Sequence, residues 1–227
     1  MSKETIQLKR NLKSPIGIFD SIDQTFDEYT NYHNSGSGNY IEGNATGLLR
    51  HKNPFLPVQK REDLIWVSHY MDTFYQYAKK CKNHIAELGV NQVCSTWSWA
   101  KARPKKITIC DIELYEKGAH YLDSFLELCE EEGIEVVCEN KSSLDIELRD
   151  VDMLFVDSQH EYDHVTKELN LHAKHVHKYI AFHDTVLCYP DVGRAVEHFL
   201  TNNKKWVIEL EDTSKPGIII IKRIEDE

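Results

Sequence analysis

Five short polar clusters hold the residue types that acid–base and metal chemistry require: Glu87 to Asn91, Asp111 to Glu113, Glu139 to Ser142, Asp157 to His160, and His183 to Thr185. Each follows an apolar run. Carboxylates beside imidazoles can hold and pass a proton, and the same groups can ligate a divalent cation. His183-Asp184 is the sharpest pair, with Asp157 and His160 the next. A histidine ligand would tilt the choice of metal from Mg²⁺ toward Mn²⁺, Fe²⁺ or Zn²⁺. Gly89 stands where an apolar strand gives way to a helix start, a place where backbone donors face outward and no Cβ blocks close approach. Glu87 adds a carboxylate beside that opening, and Ser95 or Thr96 is expected to cap the helix.

Plainer readings compete with these. Asp157 can be a helix cap, Asp111 a solvated strand end, and His160 a donor that orients a loop. His164, His172, His175 and His177 have no metal-site spacing and are expected to line a solvated helix face.

Positioning such clusters takes a regular frame. Apolar runs at 85–90, 106–113, 134–138, 152–157 and 179–183 read as strands. Helical spacing covers 63–80, 97–101, 115–132, 160–177 and 192–200, and two further strands fall at 206–210 and 217–221. The alternation predicts an α/β fold: a doubly wound, Rossmann-like sheet, mostly parallel, with a C-terminal antiparallel hairpin and helices on both faces. Ligands in such sheets sit at the carboxyl ends of the strands, where all five polar clusters fall. Residues 1–62 are irregular and read as a cap or lid on a catalytic domain spanning 63–227.

The 227 residues suffice for one large domain, and the formal charge of −10 weighs against a nucleic-acid partner. No apolar run reaches the ~20 residues of a membrane helix, and the first residues lack a signal-peptide core. Six cysteines without CxxC pairing fit buried free thiols. A cytoplasmic location is therefore expected.

Glu87-Leu-Gly89-Val90 followed by Ser95-Thr96, then Asp157-Ser-Gln-His160-Glu-Tyr162, then His183-Asp184-Thr185, form a recognisable series. In this the chain, from about Asp63 onward, resembles a class I S-adenosylmethionine-dependent methyltransferase of the small-molecule O-methyltransferase-like branch. The resemblance implies S-adenosylmethionine as cofactor. Gly89 would admit its amino-acid moiety, with Glu87 nearby. Asp111, or Glu113 in its place, would accept from the ribose hydroxyls. Ser142 would border the adenine. Asp157, with His183 or Asp184, would match the positions where metal-dependent members bind a divalent cation. Catalysis would fall to His183, Asp184 and His160 as acid–base groups beside a small-molecule hydroxyl.

Two other readings stand beside this one. A nicotinamide-dependent oxidoreductase would need G-x-G-x-x-G after the first strand, which is missing. A non-catalytic binding domain is favoured by the turn Asn91-Gln-Val-Cys94, which holds none of the family's further glycines. The oligomeric state, with a second copy of the chain as partner, is left open.

Overall fold

The computed structural model describes residues 21–34, 70–90, 93–117, 119–186, 190–214 and 216–224. The expected helix start at 63–69, most of the expected cap and Cys188 lie outside the described residues. Seven strands form one sheet: β1 (His84–Leu88), β2 (Lys106–Cys110), β3 (Glu135–Glu139), β4 (Val151–Val156), β5 (Val176–His183), β6 (Trp206–Asp212) and β7 (Ile218–Arg223). Their order is β3-β2-β1-β4-β5-β7-β6. β1 to β5 pair in parallel, and β7 runs antiparallel to both β5 and β6. This is the expected mixed sheet with its terminal hairpin.

The helices are α1 (Ile22–Asn34), α2 (70–78), α3 (Thr96–Ala102), α4 (Leu114–Lys117), α5 (Ala119–Glu131), α6 (Tyr162–His172) and α7 (Pro190–Asn202). Strand side chains alternate between the two faces. Ile85, Ile107, Met153 and Phe155 pack on one side with Phe74, Trp99 and Phe125. Leu88, Leu154, Val156 and Phe182 pack on the other with Val165, Leu169, Val196 and Phe199. Ile22 and Phe26 of α1 belong to the first cluster. Lys101 and Arg103, at the end of α3, hold α1 by ion pairs to Asp27 (2.7 Å) and Asp23 (2.6 Å).

The largest departures from the expected boundaries are at β2 and at the junction of α6 with β5. β2 stops at Cys110, because Asp111 turns the chain and leaves Ile112 64% exposed. α6 ends at His172, and after a 3₁₀ turn (Ala173–His175) β5 begins at Val176 rather than 179, since β4 supplies a partner for Val176. Between β3 and β4 there is only a 3₁₀ turn, Ser143–Asp145. Among the described residues no helix is long and apolar enough to cross a membrane. Cys81, Cys94, Cys110, Cys129 and Cys138 are free thiols.

Candidate active site

β4 and β5 are parallel neighbours with Val156 opposite Phe182, so Asp157 and His183-Asp184 leave the sheet at one level. His160 reaches back from the loop before α6. Its Nε2 lies 3.0 Å from Asp184 Oδ2 and 3.3 Å from Asp157 Oδ1. His183 Nδ1 approaches the same two oxygens, at 3.3 Å from Asp157 and 3.6 Å from Asp184. Two carboxylates thus stand between two imidazoles. Burial alone would lower both histidines, but the adjoining carboxylates reverse this, holding His160 at about 9 and His183 at about 10. Burial favours the neutral form of Asp184, yet the bonds from His160 and His183 hold it well below the usual carboxylate range. Asp184 also adopts a left-handed φ of 56°, a strained conformation for a non-glycine residue that occurs disproportionately at functional sites.

The donor set fits a divalent cation. One ligand atom from each of Asp157, His160 and Asp184 lies within 4.8 Å of the others. The family resemblance implies Asp157 with His183 or Asp184. The structure sets His183 behind them, 4% exposed, with its ring edge-on to Tyr70 at 5.9 Å. His183 Nε2, Asp184 Oδ1 and Thr185 Oγ1 are buried without a hydrogen-bond partner among the described residues. Buried polar atoms left over at one cluster fit the binding of a polar group there.

The ends of β1 and β2 lie beside this cluster. Gly89 has φ +87°, and a Cβ there would stand 2.1 Å from the Asp157 carbonyl oxygen. The glycine therefore lets the β1 turn lie against the chain leaving β4. Val93 also takes a left-handed φ, of 52°, while fully buried; a valine makes the turn that a glycine would make without strain. Asp111 accepts from Val90 N at 2.9 Å and from Glu113 N at 2.8 Å, one bond per carboxylate oxygen. Each oxygen can accept a second bond. Half-buried at a strand end, this carboxylate fits a ribose diol.

Glu87 and Ser95 depart from expectation. Glu87 does not face the opening; it is fully buried, accepting from the Ser95 hydroxyl and from Trp99 Nε1 at 2.8 Å. Burial raises its pKa to about 7 against the downward pull of those bonds. Ser95 consequently gives α3 no side-chain cap. Ser142 sits at the start of the turn after β3, its hydroxyl accepting from Leu144 N at 3.2 Å.

The histidines of α6 are not the solvated face expected. His172 is 2% exposed and donates from Nε2 to the Ser143 carbonyl at 2.8 Å. His164 Nε2 lies 3.1 Å from Ser143 Oγ and 3.3 Å from Glu168 Oε1. Glu168 itself is fully buried and accepts from Ser158 Oγ at 2.5 Å. Sequence reasoning overlooked Glu168, although a signal existed: it falls between Val165 and Leu169–His172 on the inward stripe, where a charge is out of place.

No protein-family model matches the chain, and no curated protein matches it. Solved structures do. Magnesium protoporphyrin IX methyltransferase (ChlM) from Synechocystis, with bound S-adenosylmethionine, is similar at TM-score 0.57 and 11% identity, over 87% of this chain and 98% of that one. Ribosomal protein L11 methylase from Lactobacillus delbrueckii gives 0.51 at 14% identity, over 69% and 80%. The O-methyltransferase NovP gives 0.50 at 14%, over 68% and 79%. At such identities the likeness establishes the fold, that of a Rossmann-like methyltransferase.

Proposed function

We propose that the chain is an S-adenosylmethionine-dependent methyltransferase acting on a hydroxyl of a small molecule such as a sugar or secondary metabolite, with a divalent cation assisting. The observation that carries this is the Asp157–His160–His183–Asp184 cluster at the ends of β4 and β5, next to the Asp111 carboxylate and the Gly89 turn. The antiparallel β7 between β5 and β6 fits this better than an oxidoreductase's dinucleotide-binding sheet, which is parallel in that region. The acidic balance favours a small acceptor over nucleic acid.

When bound, S-adenosylmethionine would supply a sulfonium methyl for in-line transfer to the acceptor oxygen, the C–S electron pair going to sulfur. The protein must align the reactants, exclude water and take the hydroxyl proton. Asp111 would hold the ribose, and Ser142 would border the adenine. A general base must be unprotonated. Without a cation both imidazoles are held protonated near neutral pH, so Asp157 is then the group placed to accept the proton, and His160 and His183 neutralise the paired carboxylates. Asp157, His160 and Asp184 would hold the cation, which would lower the acceptor hydroxyl's pKa; ligation requires neutral imidazole, so binding would displace the His160 proton.

Calorimetric titration with S-adenosylhomocysteine, with and without Mg²⁺ or Mn²⁺, tests the reading. Binding by the wild type that is lost in Asp111→Ala, together with a metal signal lost in Asp184→Ala, is expected. A folded wild type that binds no S-adenosylhomocysteine overturns it in favour of a non-catalytic domain.

A further inference from the structure

The loop after β3 has little of its own to hold it, since one 3₁₀ turn replaces a crossover helix. α6 reaches across to it instead. His164, Glu168 and His172 are four residues apart in turn and share one helix stripe. His172 donates to the Ser143 carbonyl, and His164 Nε2 lies between Ser143 Oγ (3.1 Å) and Glu168 Oε1 (3.3 Å). The same Glu168 oxygen accepts from Ser158 Oγ at 2.5 Å, one residue beyond Asp157. One carboxylate therefore touches both loops: that after β4 directly, and that after β3 through one imidazole.

Glu168 is a poor choice for stability alone. It is fully buried beside Val165 and Leu169, and its Oε2 has no partner among the described residues. An apolar side chain of similar volume would avoid both costs. What an apolar side chain would lack is a directional bond to each loop.

We propose that Glu168 is a positioning residue that registers the adenine-side loop (Ser142–Ser143) against the loop carrying Asp157 and His160, through Ser158 on one side and His164 on the other. This rests on the methyltransferase reading of the site. The two loops then move as one body, so the cofactor's adenine end and the proton-accepting end share one alignment. Fixing alignment is where a residue remote from the reacting atoms has its largest effect on rate.

The test uses Glu168→Leu and, as a milder change that leaves the carboxylate in place, Ser158→Ala, each compared with Glu168→Gln. Amide hydrogen exchange reports the loops without any ligand. In Glu168→Leu, residues 140–146 and 157–161 are expected to lose protection together, and Glu168→Gln, which keeps an acceptor oxygen, is expected to restore most of it. S-adenosylhomocysteine affinity is expected to fall about tenfold in Glu168→Leu, the range typical of lost outer supporting contacts. Ser143→Ala and Ser158→Ala should be non-additive on that affinity, since both act through one carboxylate. Loss of protection confined to one loop, additive effects of the two serines, or an unchanged affinity in a folded Glu168→Leu protein overturns the proposal. Should Glu168→Leu not fold, Ser158→Ala and the serine cycle decide alone. A wild type that binds no S-adenosylhomocysteine refutes the methyltransferase reading instead, and the exchange data then decide whether Glu168 joins the loops.

Discussion

The two halves of the site use their carboxylates in opposite ways. Within β1, Glu87 is enclosed and both of its oxygens are taken by Ser95 and Trp99, side chains of the α3 region. At the ends of β4 and β5, Asp157 and Asp184 face histidines, and buried polar atoms beside them have no partner among the described residues. The first half is a closed brace between sheet and helix. The second is an open set of charges with capacity left for a ligand. Glu87, inside β1 opposite Phe155, thus differs from Asp157 and Asp184, just beyond β4 and β5, by what surrounds it: Ser95 and Trp99 rather than imidazoles.

The contrast can be broken at four points. Asp184→Asn removes one of the two charges that the imidazoles share, and methyl transfer should fall by on the order of 100-fold or more, the scale of a lost acid–base contribution, with the fold retained. A radiolabelled methyl-transfer assay beside circular dichroism checks this. Gly89→Ala strikes the junction between the halves. Its left-handed backbone alone costs roughly 1–2 kcal/mol, and the methyl would overlap the Asp157 carbonyl, so the denaturation midpoint should drop sharply.

The closed half should show itself by pH. The folded pKa of Glu87, about 7, lies above its ordinary 4.5, so the stability it contributes is complete below 4.5 and is lost as pH rises through about 7. Urea denaturation on either side of neutrality, followed by tryptophan emission, should record this decline, and Glu87→Gln should flatten it. The smallest effect is expected far from both halves. Arg103→Ala breaks its pairs with Asp23 and Glu132, but at 37% side-chain exposure these are well screened, and about 0.5 kcal/mol is expected.

Much of the frame was legible in the sequence. Apolar runs such as Met153-Leu-Phe-Val156, alternating with helical segments, read as central parallel strands, and their polar ends then converge by geometry. Asp157, His160, His183 and Asp184 were legible as a group for this reason. The burial of His164 and His172 was not, because a helix shows which residues share a face but not what packs on it; here the loop after β3 does. Glu87 was misjudged for a similar cause. A glutamate near a strand end looks solvent-directed until a helix bearing Ser95 and Trp99 closes over it.

The sequence by itself determined the order of elements, the two-faced sheet and the strand ends at which chemistry can occur, since these follow from local periodicity and chain connectivity. Only the tertiary structure decided which carboxylate is sealed and which is shared, which of His160 and His183 stands forward, and that Glu168 spans two loops. Those outcomes depend on contacts between residues distant in the chain, such as His160 with Asp184 and Glu87 with Trp99. Their hydrogen bonds and desolvation exist only once the segments have packed.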